Sequence, residues 1–374
     1  MKIIGITGKV VEVAYKPEYK QDRRFYPKPS EQANVIVEIA TDEGLVGWGE
    51  AAHSPGIYGE NAAQTMAALD YFRPFLVGRD PLQITALNME LDRMSPIGNV
   101  AAKAGIDVAL HDVVGKALGV PVYQLLGGRV HERLITHISP ATYEGTVAQI
   151  ERLVGQGYRI FKQKGSGDTE YDLALIHSLL DQVSPDVTIS IDVNQGWSTL
   201  QALRIIEEIE RRPTFPTNLI IEQPTRAADF KGQAYIRERT QIPLMADDAI
   251  RTVDDLEKII ELGAADIVSL KISRVGGIQK CQQMIHMAEA ANVSYIVDEI
   301  NEMRVANTAV AHLALASRKP LYTGTACWTS LEWDVVKSGG VQLVDGHATL
   351  PDAPGLGIEA LQFPAEGQES DATR

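Results

Sequence analysis

Apolar and polar positions along the chain change period twice. Residues 3–14 alternate, as a half-buried strand does. Residues 34–40 and 45–50 alternate on either side of the turn sequence 41–44, which predicts a hairpin. The segment 15–32 between them is long, polar and aromatic, and reads as a mobile loop beside a site. From 60 to 125 the apolar positions fall three or four apart, most clearly over 99–118, so this stretch predicts helices. Residues 1–130 are therefore expected to form an α+β unit.

From about residue 130 the texture becomes regular. Short apolar runs predict strands near 134–139, 159–164, 188–192, 219–222, 242–247, 266–271, 293–298 and 320–325. Amphipathic stretches near 143–155, 170–183, 199–212, 227–239, 253–262, 278–291 and 303–316 predict the helices between them. An open doubly wound α/β sheet is one reading of this alternation. Near-equal units over 131–340 favour closure into a (β/α)7–8 TIM-type barrel. Residues 345–357 are turn-rich, so the tail from about 340 to 374 is expected to leave the barrel and complete the N-terminal cap.

Composition narrows the partners. The 374 residues are 45% hydrophobic and 22% charged, which is ordinary for a folded chain with a large core. The formal net charge of −14 argues against nucleic acid, whose phosphates need a basic face. Two cysteines, Cys281 and Cys327, provide neither a disulfide framework nor zinc spacing. No apolar run reaches the length of about 18 residues that a membrane span requires, and the N-terminus lacks a signal-peptide pattern. A cytoplasmic protein is the expectation.

The candidate chemistry sits where predicted strands end. Lys162 and Lys164 close the second, Asp192 the third, Glu222 the fourth, Asp247 the fifth and Lys271 the sixth. In a barrel these ends converge on one mouth. Successive steps from Lys164 to Lys271 are 28, 30, 25 and 24 residues, each about one β/α unit. Three converging carboxylates call for a cation, and hard oxygen donors select Mg²⁺ or a similar ion. A lysine in an apolar, cation-rich mouth is expected to have a lowered pKa and to act as a base. That set suits abstraction of a proton next to a carboxylate, with a metal taking up the developing charge.

The motifs Lys162-Gln163-Lys164, Asp192-Val-Asn-Gln-Gly-Trp197, Ile221-Glu-Gln-Pro224, Ala246-Asp-Asp248 and Lys271-Ile-Ser-Arg-Val-Gly-Gly-Ile278 together resemble the enolase superfamily. More narrowly they resemble its muconate lactonizing enzyme subgroup, and Gly44-Leu-Val-Gly-Trp-Gly-Glu50 and Pro354-Gly-Leu-Gly357 extend the likeness to the cap and tail. The use of a Lys or His base with Mg²⁺ in such sites is a known pattern. The resemblance implies that Asp192, Glu222 and Asp247 ligate Mg²⁺ (or Mn²⁺). It implies that Lys164 and Lys271 act on opposite faces of the substrate carbon. Lys162 would orient Lys164, lower its pKa and neutralise the enolate, with Asn194 and Asp248 behind the metal ligands. It also implies a small carboxylate substrate and a homo-oligomer, dimer or octamer.

Departures from that pattern bear on substrate. The eighth predicted strand, running to Trp328, carries no acid, and Thr323 or Thr325 could offer only a hydroxyl there. The seventh ends in Asp298 and Glu299, with Glu302 beyond and no histidine. Asp298 and Glu299 could receive a substrate ammonium or cap the next helix, and Trp328 could offer a cation–π face or belong to the core. His53 and Tyr58 follow the hairpin, where the family carries a specificity loop, and Tyr15, Tyr19, Arg23, Arg24, Phe25 and Tyr26 lie in the other candidate closing loop. Racemisation or epimerisation of an amino-acid derivative or betaine is the leading expectation. Muconate-type cycloisomerisation, acid-sugar dehydration and a non-catalytic metal-binding barrel are the alternatives.

Overall fold

The computed structural model describes residues 1–19, 31–57, 59–140 and 145–363. Strands β1 (Ile3–Ala14), β2 (Glu31–Thr41) and β3 (Val46–Ala51) form an antiparallel sheet in the order β1-β2-β3. The turn predicted at 41–44 joins β2 to β3, with Ala40 opposite Val46. Helices α1 (Ala62–Leu76), α2 (Ile84–Met94), α3 (Val100–Leu118) and α4 (Val122–Leu125) follow.

Helix α3 is buried from Ala101 through Gly115, and it is apolar on most sides because both flanks are covered. Its approach to β3 explains the glycines there. A Cβ at Gly47 would lie 2.1 Å from Ala109 O, and one at Gly49 would lie 2.0 Å from Gly105 O. Only bare backbone fits at that distance.

The barrel then runs β4 (Leu134–Ile135), α5 (Thr146–Val154), β5 (Ile160–Lys164), α6 (Thr169–Gln182), β6 (Thr188–Asp192), α7 (Thr199–Glu210) and β7 (Leu219–Glu222). It continues with α8 (Phe230–Arg237), β8 (Leu244–Ala246), α9 (Val253–Leu262), β9 (Ile267–Lys271), α10 (Ile272–Val275), α11 (Ile278–Ala290), β10 (Ser294–Asp298) and α12 (Arg304–Ala316). Strands β5 to β10 form one parallel ladder in chain order. Parallel bridges Ile138–Phe161, Thr136–Thr323 and Val297–Thr323 carry the ring from β5 round to β10. The fold is thus an α/β TIM-type barrel with an N-terminal α+β unit. The eighth predicted strand forms only isolated bridges at Thr323, although the N–H groups of Leu321, Thr323 and Gly324 donate to Tyr295, Ile135 and Val297 on its two neighbours.

The tail forms β11 (Val336–Gly339), β12 (Gln342–Val344), β13 (His347–Thr349) and β14 (Ile358–Leu361). Strand β13 pairs with β4, and β14 pairs with β11. Asp112 of α3 accepts the Leu356 N–H at 2.8 Å and the Trp48 N–H at 2.7 Å, so one buried carboxylate ties the tail and β3 to the same helix. A second tie joins the N-terminal sheet to the barrel. Glu50 of β3 accepts the N–H groups of Met303 at 2.7 Å and Ala306 at 2.9 Å, and so caps α12, whose own N-cap side chain makes no such bond.

Candidate active site

Side chains alternate across each barrel strand, and this period of two builds the site. Ile160, Ile220, Met245, Ile267, Ile296 and Tyr322 form an apolar cluster of their own inside the barrel. Two residues beyond each of five of these, on the same side, come Lys162, Glu222, Asp247, Ser269 and Asp298. The intervening Phe161, Ile221, Val268 and Val297 pack outward against the helices. Register then brings the site residues level: Lys164 opposite Asp192, Asp192 opposite Glu222, and Asp298 opposite Lys271.

Carboxylate oxygens of Asp192, Glu222 and Asp247 lie within 4.8 Å of one another, and all three residues are buried. Burial, then the charge of Asp192, pushes the Glu222 carboxyl up to about 8. Burial also opposes ionisation of Asp247, but the Arg274 guanidinium and Lys271 ammonium outweigh it and hold that carboxyl below its usual range. A buried oxygen-only trio with one member pushed towards the neutral form fits a hard divalent cation.

Each lysine meets these acids. Lys164 Nζ donates to Asp192 Oδ2. Lys271 Nζ donates to Asp247 Oδ2 at 2.9 Å and lies 3.5 Å from Asp298 Oδ2. Lys162 Nζ donates to Glu222 Oε1 and Asp298 Oδ2, both at 2.9 Å. Burial pulls Lys162 and Lys271 down, but Asp298 with Glu222 outweighs it at Lys162, and Asp247 with Asp298 at Lys271. Both ammoniums are held above the usual lysine value. The expectation of lowered lysine pKa values is reversed at these two, because the mouth is rich in carboxylates as well as cations.

A cavity of about 490 Å³ opens above this array. Lys162, Lys164, Lys271, Asp247, Asn194, Asp248, Glu299 and His53 all line it. Asn194 reaches Asp192 through its backbone, whose N–H donates to Oδ1 at 3.0 Å. Asp248 accepts from Gln195 Nε2 at 2.9 Å. Glu299 accepts the Cys327 N–H at 3.0 Å, and burial raises its carboxyl to about 7. Burial likewise lowers the His53 imidazole. Tyr58, Arg23, Arg24, Phe25 and Tyr26 lie outside the described residues.

Three expected substrate contacts are corrected. Asp298 is fully buried and holds Lys162, Lys271, Ser269 and His137, so it is a counter-ion for the lysines and no receptor for a substrate ammonium. Burial opposes its ionisation, and the two lysines overwhelm that effect. Thr325 is buried with its hydroxyl on Thr136 Oγ1 at 3.0 Å, where it helps close the ring. The Trp328 ring is covered by the Arg304 guanidinium, 4.8 Å from its centroid, so that face is occupied by the protein's own cation.

Sequence reasoning misses His137. Its Nε2 lies 2.7 Å from Asp298 Oδ1, and the ring lines the cavity. A His–Asp pair therefore exists, built from the first and seventh barrel positions. Inward alternation carried back along the first strand would find it, since residues 135 and 137 share a face. Arg274 escapes for another reason: it follows Lys271 on α10 and turns back to donate to Asp247 Oδ1 at 2.9 Å.

A (β/α)-type barrel whose three consecutive strands bring Asp192, Glu222 and Asp247 together, with lysines on either side, defines the class of enzyme. Residues 27–127 match the mandelate racemase / muconate lactonizing enzyme N-terminal domain, and residues 145–362 match the enolase C-terminal domain-like family. The chain belongs to the mandelate racemase/muconate lactonizing enzyme family of the enolase superfamily, and is an enzyme of that family. It is 34% identical over 342 residues to an N-succinyl-L-Arg/Lys racemase of Bacillus cereus, with 89% of each chain covered. Its fold superposes with a TM-score of 0.90 on a substrate-liganded L-Ala-D/L-Glu epimerase of Bacillus subtilis, at 28% identity over 97% of this chain and 100% of that one. A dipeptide epimerase of Enterococcus faecalis, solved with Mg and L-Leu-L-Tyr, gives 0.88 at 27% identity over 96% and 100%. Among the described residues no helix is long and apolar enough to cross a membrane.

Proposed function

We propose that this enzyme is a Mg²⁺-dependent racemase or epimerase of an amino-acid derivative, an N-modified amino acid or a betaine. The observation that carries this reading is the placement of Lys164 and Lys271. They end β5 and β9 on either side of the carboxylate trio and line the same cavity. One neutral lysine takes the α-proton from its face of the substrate, and the ammonium of the other returns a proton to the opposite face. The sum is inversion without net proton uptake.

Asp192, Glu222 and Asp247 would hold Mg²⁺, or Mn²⁺ in its place. Bound there, the ion would supply positive charge where negative charge develops on the substrate carboxylate, and would draw the neighbouring lysines toward their neutral forms. Lys162 adds a fixed positive charge on the same side. Asn194 and Asp248 brace the trio, and His53 with Glu299 borders the substrate's remaining groups.

Cycloisomerisation of a muconate-type diacid is the second reading, since it needs only one of the two lysines. Charge favours the first. Among the described residues, the only ammonium or guanidinium groups lining the cavity are Lys162, Lys164 and Lys271. Glu299 lines the same cavity, and its carboxyl suits a cationic or neutral nitrogen substituent better than a second carboxylate. The seventh strand ends in Asp298 and Glu299 with no histidine, which keeps elimination from an acid sugar a weaker reading still. We assign the protein to the cytoplasm, in keeping with its free Cys281 and Cys327, and expect a homo-oligomer, dimer or octamer.

The test is exchange in D₂O. N-acyl amino acids, dipeptides and betaines are incubated with enzyme and Mg²⁺, and α-deuterium is followed in both enantiomers. Incorporation into both, abolished by chelation and restored by Mg²⁺, is the expected result. Lactone formation, or exchange without inversion, would move the assignment to another reaction. Silence across the panel would overturn the assignment to amino-acid derivatives and betaines.

A further inference from the structure

A second cavity lies outside the barrel mouth, where the N-terminal unit meets the outer helices. It measures about 360 Å³ and is bounded by α2, by Lys103 of α3 and by the first turns of α11. On its wall, Asp92 Oδ1 accepts from Lys280 Nζ at 2.6 Å and from Lys103 Nζ at 3.0 Å. One carboxylate oxygen thus serves two ammoniums. The Lys103 side chain is only 4% exposed, so its charge is poorly served by water. Burial pulls its pKa down even with Asp92 beside it, which marks a desolvation cost that the pairing does not fully offset.

The nearby acids are otherwise engaged. Glu60 accepts the N–H groups of Val100 and Ala101, at 2.9 and 3.1 Å, at the start of α3. Asp107 accepts the Ile278 N–H at 2.6 Å at the start of α11, together with the Asn88 amide at 2.5 Å. Each offsets the positive end of a helix, so Asp92 is the carboxylate that pairs with both lysines; Lys103 Nζ donates besides to the Ser95 carbonyl, a neutral acceptor. The cavity is further lined by the amides of Asn88, Gln279 and Gln283; Asn88 Nδ2 donates to Asp107 and to Gln279 Oε1, and Gln279 Nε2 to Thr85 Oγ1, so the lysines are the groups that would hold an anion there.

We propose that this cavity binds a small oxyanion, of the phosphate or short dicarboxylate type, held between Lys103 and Lys280. The anion gives the second ammonium a counter-ion of its own. It would also tie α2 to α11. Helix α11 begins just after Gly276 and Gly277, which follow α10 and the Arg274 that grips Asp247, so occupancy would stiffen the seam behind the Lys271 side of the barrel.

The experiment titrates the Mg²⁺-loaded enzyme with inorganic phosphate and, separately, with malonate, by calorimetry and thermal melting at ionic strength fixed with chloride. Saturable binding and a raised Tm are expected with at least one of the two, and which one responds identifies the source of the oxyanion. Lys280→Gln should weaken binding by about tenfold or more, the loss of one charged hydrogen bond, while proton exchange without added anion stays unchanged. Lys280→Arg should keep most of the affinity, and Asp92→Asn, which removes the competing carboxylate, should tighten it. Equal binding in Lys280→Gln, or a response no larger than that to chloride alone, overturns the proposal.

Discussion

Asp298 Oδ2 lies 2.9 Å from Lys162 Nζ at the floor of the barrel mouth, with the carboxylate fully buried and the lysine facing the cavity. The same oxygen is 3.5 Å from Lys271 Nζ, so one carboxylate balances lysines from two sides of the site. Replacing it with asparagine keeps the shape and removes the charge. Asp298→Asn should cost about 3–5 kcal/mol of stability, because two ammoniums are left buried with fewer counter-ions. Both lysines should also deprotonate at lower pH, and since a base must be neutral to work, the acid limb of the kcat profile should move down. The ratio of kcat/KM for cationic over neutral substrates should not change. A selective loss of cationic substrates would return Asp298 to the role of ammonium receptor.

The two proposed bases separate in a simpler way. Lys164→Ala and Lys271→Ala should each lower racemisation by about 10²–10⁴-fold, the usual worth of a positioned acid–base group. Metal binding should survive in both, because neither lysine is among the trio. Each variant should still exchange the α-proton of one enantiomer, the one presented to the remaining lysine, and the two variants should show opposite preferences. Full turnover in either would sink the two-base scheme.

How much of this is readable in the sequence follows from the kind of signal each residue leaves. Lys162, Lys164, Asp192, Glu222, Asp247 and Lys271 each end an apolar run, so a local pattern marks them. Asp298 is marked in the same way, but its partners are not. Only the register of β9 and β10 shows that its carboxylate is already taken by Lys271 and Lys162. Trp328 and Glu50 leave no local trace of their partners at all. Arg304 lies on α12, before the last barrel position, and Met303 is 253 residues from Glu50. Contacts of that kind are made by the closed ring and the returning cap, and a periodic pattern contains neither.

Trp328 tests that distinction directly. If its ring serves Arg304, Trp328→Phe should keep most of the cation–π contact and leave substrate preference untouched. Trp328→Ala should cost about 0.5–1 kcal/mol for that contact, plus lost packing, and do so equally with or without substrate. Urea denaturation and KM for one betaine and one neutral N-acyl amino acid make the check. A KM that rises only for the betaine in Trp328→Phe would place the ring in the substrate pocket after all.

Glu50 predicts a pH-dependent tie between the N-terminal sheet and α12. Burial pushes its carboxyl from 4.5 up to about 7, against the N–H groups of Met303 and Ala306 and the Asn34 amide, which favour the ionised form. Between those two values the native state keeps a proton that the unfolded chain has released. Stability from this group is therefore highest below pH 4.5, falls as pH rises through the window, and is level above 7. The total is on the order of 3 kcal/mol, since each pH unit crossed in that window costs about 1.4 kcal/mol. Glu50→Gln removes the titration and keeps the shape, so it should abolish this share of the slope. Urea melts of both proteins at pH 5 and pH 8 provide the measurement. The stability of the natural protein relative to Glu50→Gln should be lower at pH 8 than at pH 5 by roughly that amount. Glu299, raised to about 7 by its own burial, slopes in the same direction but is common to both proteins and cancels, whereas Glu302, raised to about 8 by burial and further by the charge of Glu50, cancels only in part. An equal difference at the two pH values would mean that Glu50 holds no proton in the folded chain, and that its three donors keep it ionised throughout.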